Sequence, residues 1–413
     1  MKRLFAFFIA SILILCTACS ANNNNSENTD SGTTDKITLK VWGSQEDQKI
    51  LKSMIDEFKK NNNYNNIDIT FGVVSEADAK TEMLKDVAAG ADVFAFASDQ
   101  IAELHKAGAL YRISKDKDKI IAENTEASIK ACTINGEMYA FPSSSDTYFM
   151  YYDKSKYSED EVKSLEKMLA KDLGKNVKNF AFNVDDGWYN SGFFFANGCT
   201  LFGEDGLDPK KCDFNSQKGV EVGNYLLDLV KNPKFASFQD DGQLLANVKN
   251  KTYAAFVSGT WNAAAVKEYL GENYAATKLP TININGKDIQ LSSMANFKLY
   301  GVNSQTKHPI EALALAQFLT NEENQKIRFE KRDYAPTNKK LASNEEALKN
   351  NIAVSALANQ AQYSTLQASI PQVNNFWPTA EAFGKGLLDG TVTKANMQQK
   401  LDALVKGTLE KIS

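Results

Sequence analysis

The chain is poor in the residues that most metal and covalent chemistries need. It has five cysteines and two histidines in 413 residues. His105 and His308 cannot build a His-rich metal site and leave few partners for a Ser-His or Cys-His catalytic pair. No Cys/His spacing suits zinc. No P-loop and no GxGxxG after a strand is present, nor a Gly-x-Ser-x-Gly elbow. Glu204-Asp-Gly-Leu-Asp208 lacks the EF-hand ligand spacing. A strong charge of either sign is also missing, because the net charge is -4. That argues against a nucleic-acid or anionic-membrane-surface partner. No repeat, heptad run or second long apolar run follows the N-terminal one. What is there is ordinary for a globular chain: 43% hydrophobic and 24% charged residues. The length suits two domains or three.

The start of the chain reads as an address. Lys2 and Arg3 precede the apolar run Leu4 to Leu15, with small residues after it. This is the pattern of a signal peptide over 1–18. The run is too short to span a bilayer, which takes about 20 apolar residues. Leu15-Cys16-Thr17-Ala18-Cys19 resembles the end of a bacterial lipoprotein signal, which implies lipidation of Cys19 and a membrane anchor outside the cytoplasm. Processing there takes the net charge from -4 to -6, since Lys2 and Arg3 leave with no acid. Residues 19–35, rich in Ser, Asn, Thr and Gly, read as a flexible tether. Three cysteines then remain. Export permits disulfides, and a Cys199–Cys212 bridge is expected, worth about 3 kcal/mol in the chain-entropy picture. Two free buried thiols are the alternative.

Periodicity places strands and helices in alternation. Ile37–Trp42 alternates as a strand, and Ile50, Leu51, Met54, Ile55 and Phe58 recur at helical spacing within about 46–60. Ile67–Phe71 is the second strand, and a helix is expected near 76–89. Asp92–Ala97 is continuously apolar, as in a parallel sheet covered on both faces. Asp99 is expected to cap a helix over 100–107. Beyond Asp146, helices near 159–172 and 216–231 and strands at Phe180–Asn183 and Thr252–Val257 follow. Helices are read at Glu311–Leu319 and Asn321–Glu330, with an amphipathic stretch from Lys394 to Ile412. Alternating strands and helices indicate an α/β sheet, where ligands bind beyond the carboxyl ends of strands.

Trp188, Trp261 and Trp377 lie in polar or turn-like settings beside Asp and Asn. A pyranose ring presents a C–H face to an indole and a rim of hydroxyls to carboxylates and amides. The combination points to sugar binding. Asp185 with Asp186, or Glu204-Asp205 with Asp208, could instead be a glycosidase carboxylate pair, but no motif singles out an enzyme.

From Lys36 onward the chain resembles the family 1 extracellular solute-binding proteins of bacterial ABC importers, most of all the maltose/maltodextrin-binding group. The resemblance rests on Ile37–Gly43, on Asp92–Asp99 with Lys106–Leu110, on Asn135–Pro142 with Tyr151–Lys154, and on Ser369–Gln372 with Phe376-Trp377. It implies a two-lobe periplasmic-binding-protein-like α/β fold of type II. One lobe would take 36–145 and 297–348, the other 146–296 and 349–413. By motif position it implies stacking by Trp188, Trp261 and Trp377 and hydroxyl binding by Asp99, Asp146 and Asp186. Phe96 stands where the family has a Trp, and Trp42, Gln45 and Glu46 fall near its polar contacts after the first strand. The departures Gln100, Ser191, Pro378 and Glu381 alter the polar rim. The implied role is a monomeric, cofactor-free binder that captures maltooligosaccharides and delivers them to permease subunits. Alternatives are xylo- or galacto-oligosaccharide capture, a secreted glycoside hydrolase or a cell-surface glycan adhesin.

Overall fold

The computed structural model describes residues 37–60, 64–204 and 206–411. The signal segment, the tether, Cys19, Asp205 and residues 412–413 lie outside these. Two sheets organise the rest. In the larger one, Ile37–Gly43 pairs in parallel with Ile67–Val73 and with Val93–Ala97. The long strand Ser293–Val302 then runs antiparallel to both Val93–Ala97 and Phe141–Asp146. Val93–Ala97 is paired at both edges and buried on both faces, as its composition suggests, but one of its neighbours is antiparallel rather than parallel. Ala335–Pro336 closes this sheet at one edge and Ser364–Leu366 joins the long strand. The smaller sheet has the order Tyr274–Thr277, Phe149–Asp153, Ala255–Ser258, Phe180–Ala181, Phe235–Ala236.

Side-chain alternation divides the cores. On Phe149–Asp153, Phe149 and Tyr151 enter one apolar cluster, while Met150 and Tyr152 enter the cluster on the opposite face, as the two-residue period of a strand demands. The helix Gln48–Lys60 buries Leu51, Met54, Ile55 and Phe58 against the larger sheet. Ser293–Val302 serves both sheets' cores. Met294 packs in the smaller sheet's cluster and Phe297 in the larger sheet's.

Several elements are shorter than their periodicity suggests. The helix expected near 76–89 is confined to Ala79–Lys85. The segment 159–172 splits into a single 3-10 turn, Glu161–Lys163, and the helix Leu165–Ala170. Ser164 causes the break, because it is extended and its side chain accepts the Lys167 N–H as a cap. The strands in the second half are Phe180–Ala181 and Ala255–Ser258. The helices Gln217–Val230, Pro309–Leu319, Glu322–Arg332 and Met397–Thr408 stand close to where the pattern puts them.

Cys199 and Cys212 are free, which corrects the expected bridge. Cys199 Sγ faces Ser216 Oγ at 3.9 Å. Burial pushes the Cys199 thiol up to about 11 and the Cys212 thiol up to about 12, so neither is a ready thiolate. The loop between them is tied by other means: Leu201 and Cys212 form a backbone bridge, and the Thr200 N–H donates to Asp213.

One glycine fixes how the helix Val373–Asp389 meets the smaller sheet. A Cβ on Gly384 would lie 2.3 Å from the Val184 carbonyl oxygen and 2.5 Å from Asp185 Cα. Gly384→Ala therefore forces the helix away from that loop. It is expected to lower the unfolding free energy by about 1–3 kcal/mol, the usual cost of overpacking. A denaturant titration with an unchanged midpoint would show that the helix yields freely there.

Candidate functional site

A cleft of about 910 Å³ is walled by both sheets. Its lining comes largely from segments that leave the carboxyl ends of strands. Glu46 follows Ile37–Gly43, Glu76 follows Ile67–Val73, and Asp99 follows Val93–Ala97. On the facing wall, Asn183, Asp185, Asp186 and Trp188 follow Phe180–Ala181, Asp241 follows Phe235–Ala236, and Trp261 follows Ala255–Ser258. Asn296 and Lys298 reach in from the long strand, and Trp377, Glu381 and Lys385 from the helix Val373–Asp389.

The aromatic wall is built from neighbours in space. Trp188 and Trp261 have ring centroids 5.7 Å apart at 48°. Tyr148 and Tyr189 meet Trp188 edge-on at 4.9 Å and 5.1 Å. Tyr148 is itself held by donating its hydroxyl to the Tyr189 carbonyl at 3.0 Å. Gly259 makes room for Trp261, whose indole folds back over the backbone. A Cβ at that position would sit 1.7 Å from Trp261 Cζ3. Trp377 packs edge-on against Phe376 at 5.2 Å.

The carboxylates are held differently from one another. Asp186 caps the helix Gly187–Ala196, its Oδ1 accepting the Trp188 N–H at 2.8 Å. Burial nevertheless pushes its carboxyl up to about 6, with Asp185 and Glu381 adding to the rise. Asp99 does not cap a helix as expected. It sits in the turn Ser98–Gln100, its Oδ1 accepts from Asn296 Nδ2 at 3.3 Å, and burial raises it to about 6. Burial also takes Asp146 to about 6, while the Lys298 charge restrains the rise. Burial opposes the charge of Lys298, but Glu76, Tyr334, Asp146 and Asp47 more than offset this and hold its ammonium well above the ordinary lysine range. Its Nζ lies 3.8 Å from Glu76 Oε1 and donates to the Tyr334 hydroxyl at 3.2 Å. Behind it, Arg332 Nε donates to Asp47 Oδ1 at 3.0 Å.

Five buried polar atoms on this lining have no hydrogen-bond partner among the described residues: Ser44 Oγ, Asp146 Oδ1, Asn183 Oδ1, Trp188 Nε1 and Gln367 Oε1. Such atoms are costly without a partner. A ligand rich in hydroxyls, which both donate and accept, supplies what they lack.

Of the residues singled out from sequence, the cleft lining includes Trp188, Trp261, Trp377, Asp99, Asp146, Asp186 and Glu46. Three others are elsewhere. Phe96 is fully buried, tilted against Phe94 at 5.5 Å, because its strand is covered on both faces. Trp42 packs edge-on to Phe94 at 6.4 Å and lies over Gly72, where a Cβ would come within 2.4 Å of the indole. Gln45 points to solvent, one residue away from the lining residue Glu46. Sequence reasoning missed Glu76, Asn183, Asp241, Asn296, Lys298, Tyr334 and Gln367. Glu76 and Asp241 each follow a strand's carboxyl end, a signal that was available. Lys298 and Tyr334 carried none. Among the described residues no group of three or more His, Cys, Asp or Glu side chains is placed to hold a metal ion.

A polar contact crosses from the larger sheet's helices to the helix that carries Trp377. Lys80 Nζ lies 2.9 Å from Glu103 Oε2 and donates to Asn374 Oδ1 at 2.6 Å. Asn374 Nδ2 in turn donates to Glu103.

Residues 53–356 match the family described as bacterial extracellular solute-binding protein. The galactooligosaccharide-binding protein of Bacillus subtilis (strain 168) is 28% identical over 97% of this chain and 95% of its own length. A structure solved with acarbose is 38% identical, with a TM-score of 0.84 over 90% of this chain and 98% of that one. The maltodextrin-binding protein MalE1 of L. casei BL23, solved without ligand, is 28% identical, with a TM-score of 0.78 over 91% of this chain and 99% of that one.

The raised carboxyls carry a stability consequence. Between the ordinary aspartate value of 3.8 and about 6, the folded Asp146 holds more protons than the unfolded one. Its contribution to stability therefore falls as pH rises through that window and levels off above it. Asp146→Asn removes the buried charge. Its thermal midpoint is expected to exceed that of the wild type at pH 7.5, with the difference narrowing through pH 5 and closing near pH 4. A difference independent of pH, read by thermal unfolding of the ligand-free protein, would refute the assignment.

Proposed function

The chain belongs to the bacterial extracellular solute-binding proteins, a family of binders rather than enzymes, and from that premise we propose that it captures maltooligosaccharides for an ABC importer. The observation that carries this reading is a set of indoles sharing one cleft with buried polar atoms that lack partners. Trp188, Trp261 and Trp377 would stack on the apolar faces of glucose units. Asp99, Asp146 and Asp186 would accept from their hydroxyls, and the Trp188 indole N–H would donate. With Asp99 and Asp146 on the larger sheet's side and Trp188, Trp261 and Asp186 on the smaller sheet's, a sugar would gain full contact only when both walls reach it. Closure is then a population shift driven by differential affinity, and the closed body is what the permease subunits would engage. The Cys19 signal pattern supports a lipid anchor outside the cytoplasm. The likeness to a galactooligosaccharide-binding protein favours one second reading, capture of galactosyl chains by the same wall.

Intrinsic tryptophan fluorescence of residues 36–413, titrated with α-1,4-glucans and with galacto- and xylo-oligosaccharides of matched length, separates these readings. A saturable change with α-1,4-glucans is expected. Saturation only with a galactosyl or xylosyl chain would replace the ligand. Trp261→Ala is expected to weaken binding by about 1–3 kcal/mol, the scale of losing a pocket aromatic, with an unchanged far-ultraviolet spectrum. Equal affinity would remove Trp261 from the site.

The contact of Lys80 and Glu103 with Asn374 would hold the closed form at the rim. Asn374→Ala is expected to raise the sugar dissociation rate several-fold while changing the association rate little. Stopped-flow traces with an unaltered dissociation rate would dismiss that role.

A further inference from the structure

We propose that the cleft sorts oligosaccharides by charge, favouring chains that carry an ammonium group over chains that carry a carboxylate. This rests on the sugar-binding reading above and narrows its ligand class.

The first observation is the charge on the walls. Among the described residues lining the cleft, eight carboxylates face two lysines. Both lysines already face acidic partners. Lys298 is engaged by Glu76 and Tyr334, and Lys385 by Glu381. The acids also crowd one another across the space. Asp241 on the smaller sheet's side feels the charge of Glu46 on the larger sheet's side, and Asp186 feels Asp185 and Glu381. A cation between such walls relieves like-charge repulsion, and an anion adds to it.

The second observation is independent of net charge. Three of the buried lining atoms without partners are acceptors only: Asn183 Oδ1, Gln367 Oε1 and Asp146 Oδ1. Asn183 and Gln367 are only 6% and 7% exposed. Trp188 Nε1 is the single pure donor among them. A ligand group that donates meets more of these atoms than one that only accepts. Hydroxyl and ammonium groups donate. An ionised carboxylate brings acceptors alone, and would leave these atoms unmet beside other carboxylates.

The test uses one chain with four ends. Unmodified maltotetraose is compared with its reducing-end alditol, its 1-amino-1-deoxy-alditol and its aldonate, by calorimetry at pH 7.5 and low salt. The three derivatives share the opened terminal residue and differ chiefly in charge. The amine is expected to bind at least tenfold more tightly than the aldonate, with the alditol between them. The ratio should contract in high salt and in the Glu46→Gln/Asp185→Asn double variant. Equal affinities for the three derivatives, or a tighter aldonate, would overturn the charge sorting. If unmodified maltotetraose still bound, the sugar-binding reading would stand. Failure of unmodified maltotetraose to bind would remove the maltooligosaccharide reading and the charge sorting argued on it.

Discussion

The cleft depends on one buried ammonium group. Lys298 leaves the long strand Ser293–Val302 at its floor, between Glu76, Asp146 and the Tyr334 ring, whose centroid is 4.3 Å from Nζ. A carboxylate taken from water without a counter-charge is costly. Lys298 offsets that cost at the centre, and the Arg332–Asp47 pair does so behind it. The compensation is partial. Asp99, Asp146 and Asp186 all stay near 6, above the ordinary aspartate value of 3.8. The site therefore holds acceptors that are underused in the free protein, which is how binding surfaces commonly trade stability for function.

The same strand ties the two sheets together. With Met294 in one core and Phe297 in the other, it passes the junction as a continuous extended segment rather than a loose linker. Asn296, between those two residues, accepts from the Ser98 N–H at 3.1 Å and donates to Asp99. The cleft floor and the turn that carries Asp99 are thus built on one piece of backbone. A site on such support keeps its geometry better than one assembled from loops alone.

Much of the fold was legible because its signals are local. The four apolar residues of Gln48–Lys60 recur at helical spacing, and the run Val93–Ala97 is apolar throughout. The indoles at 188, 261 and 377 stood out because three Trp in polar turns beside Asp, Asn or Gly point together to a binding surface, although each also packs against the core. The errors have local causes too. Phe96 and Trp42 lie at or near strand ends, and nothing in their neighbours tells which face of a strand looks into a cleft and which is covered by packing. The periodicity of Ala79, Met83 and their neighbours suggests a helix near 76–89 because it does not reveal where the backbone turns away at Asp86. The cysteine pair was close in sequence, but proximity along the chain says nothing about whether two buried sulfurs point at one another.

The sequence by itself determined the strand–helix alternation, the family resemblance and the three indoles of the cleft, since each is written in a short window. Only the tertiary structure decided which acids share the cleft and what holds them there. Glu46, Glu76 and Asp99 come from three strand ends of one sheet, Asp186 and Asp241 from two of the other, and Lys298 from a strand near residue 300. Electrostatic energy depends on distance in space and on burial, and neither quantity exists until the two sheets face each other.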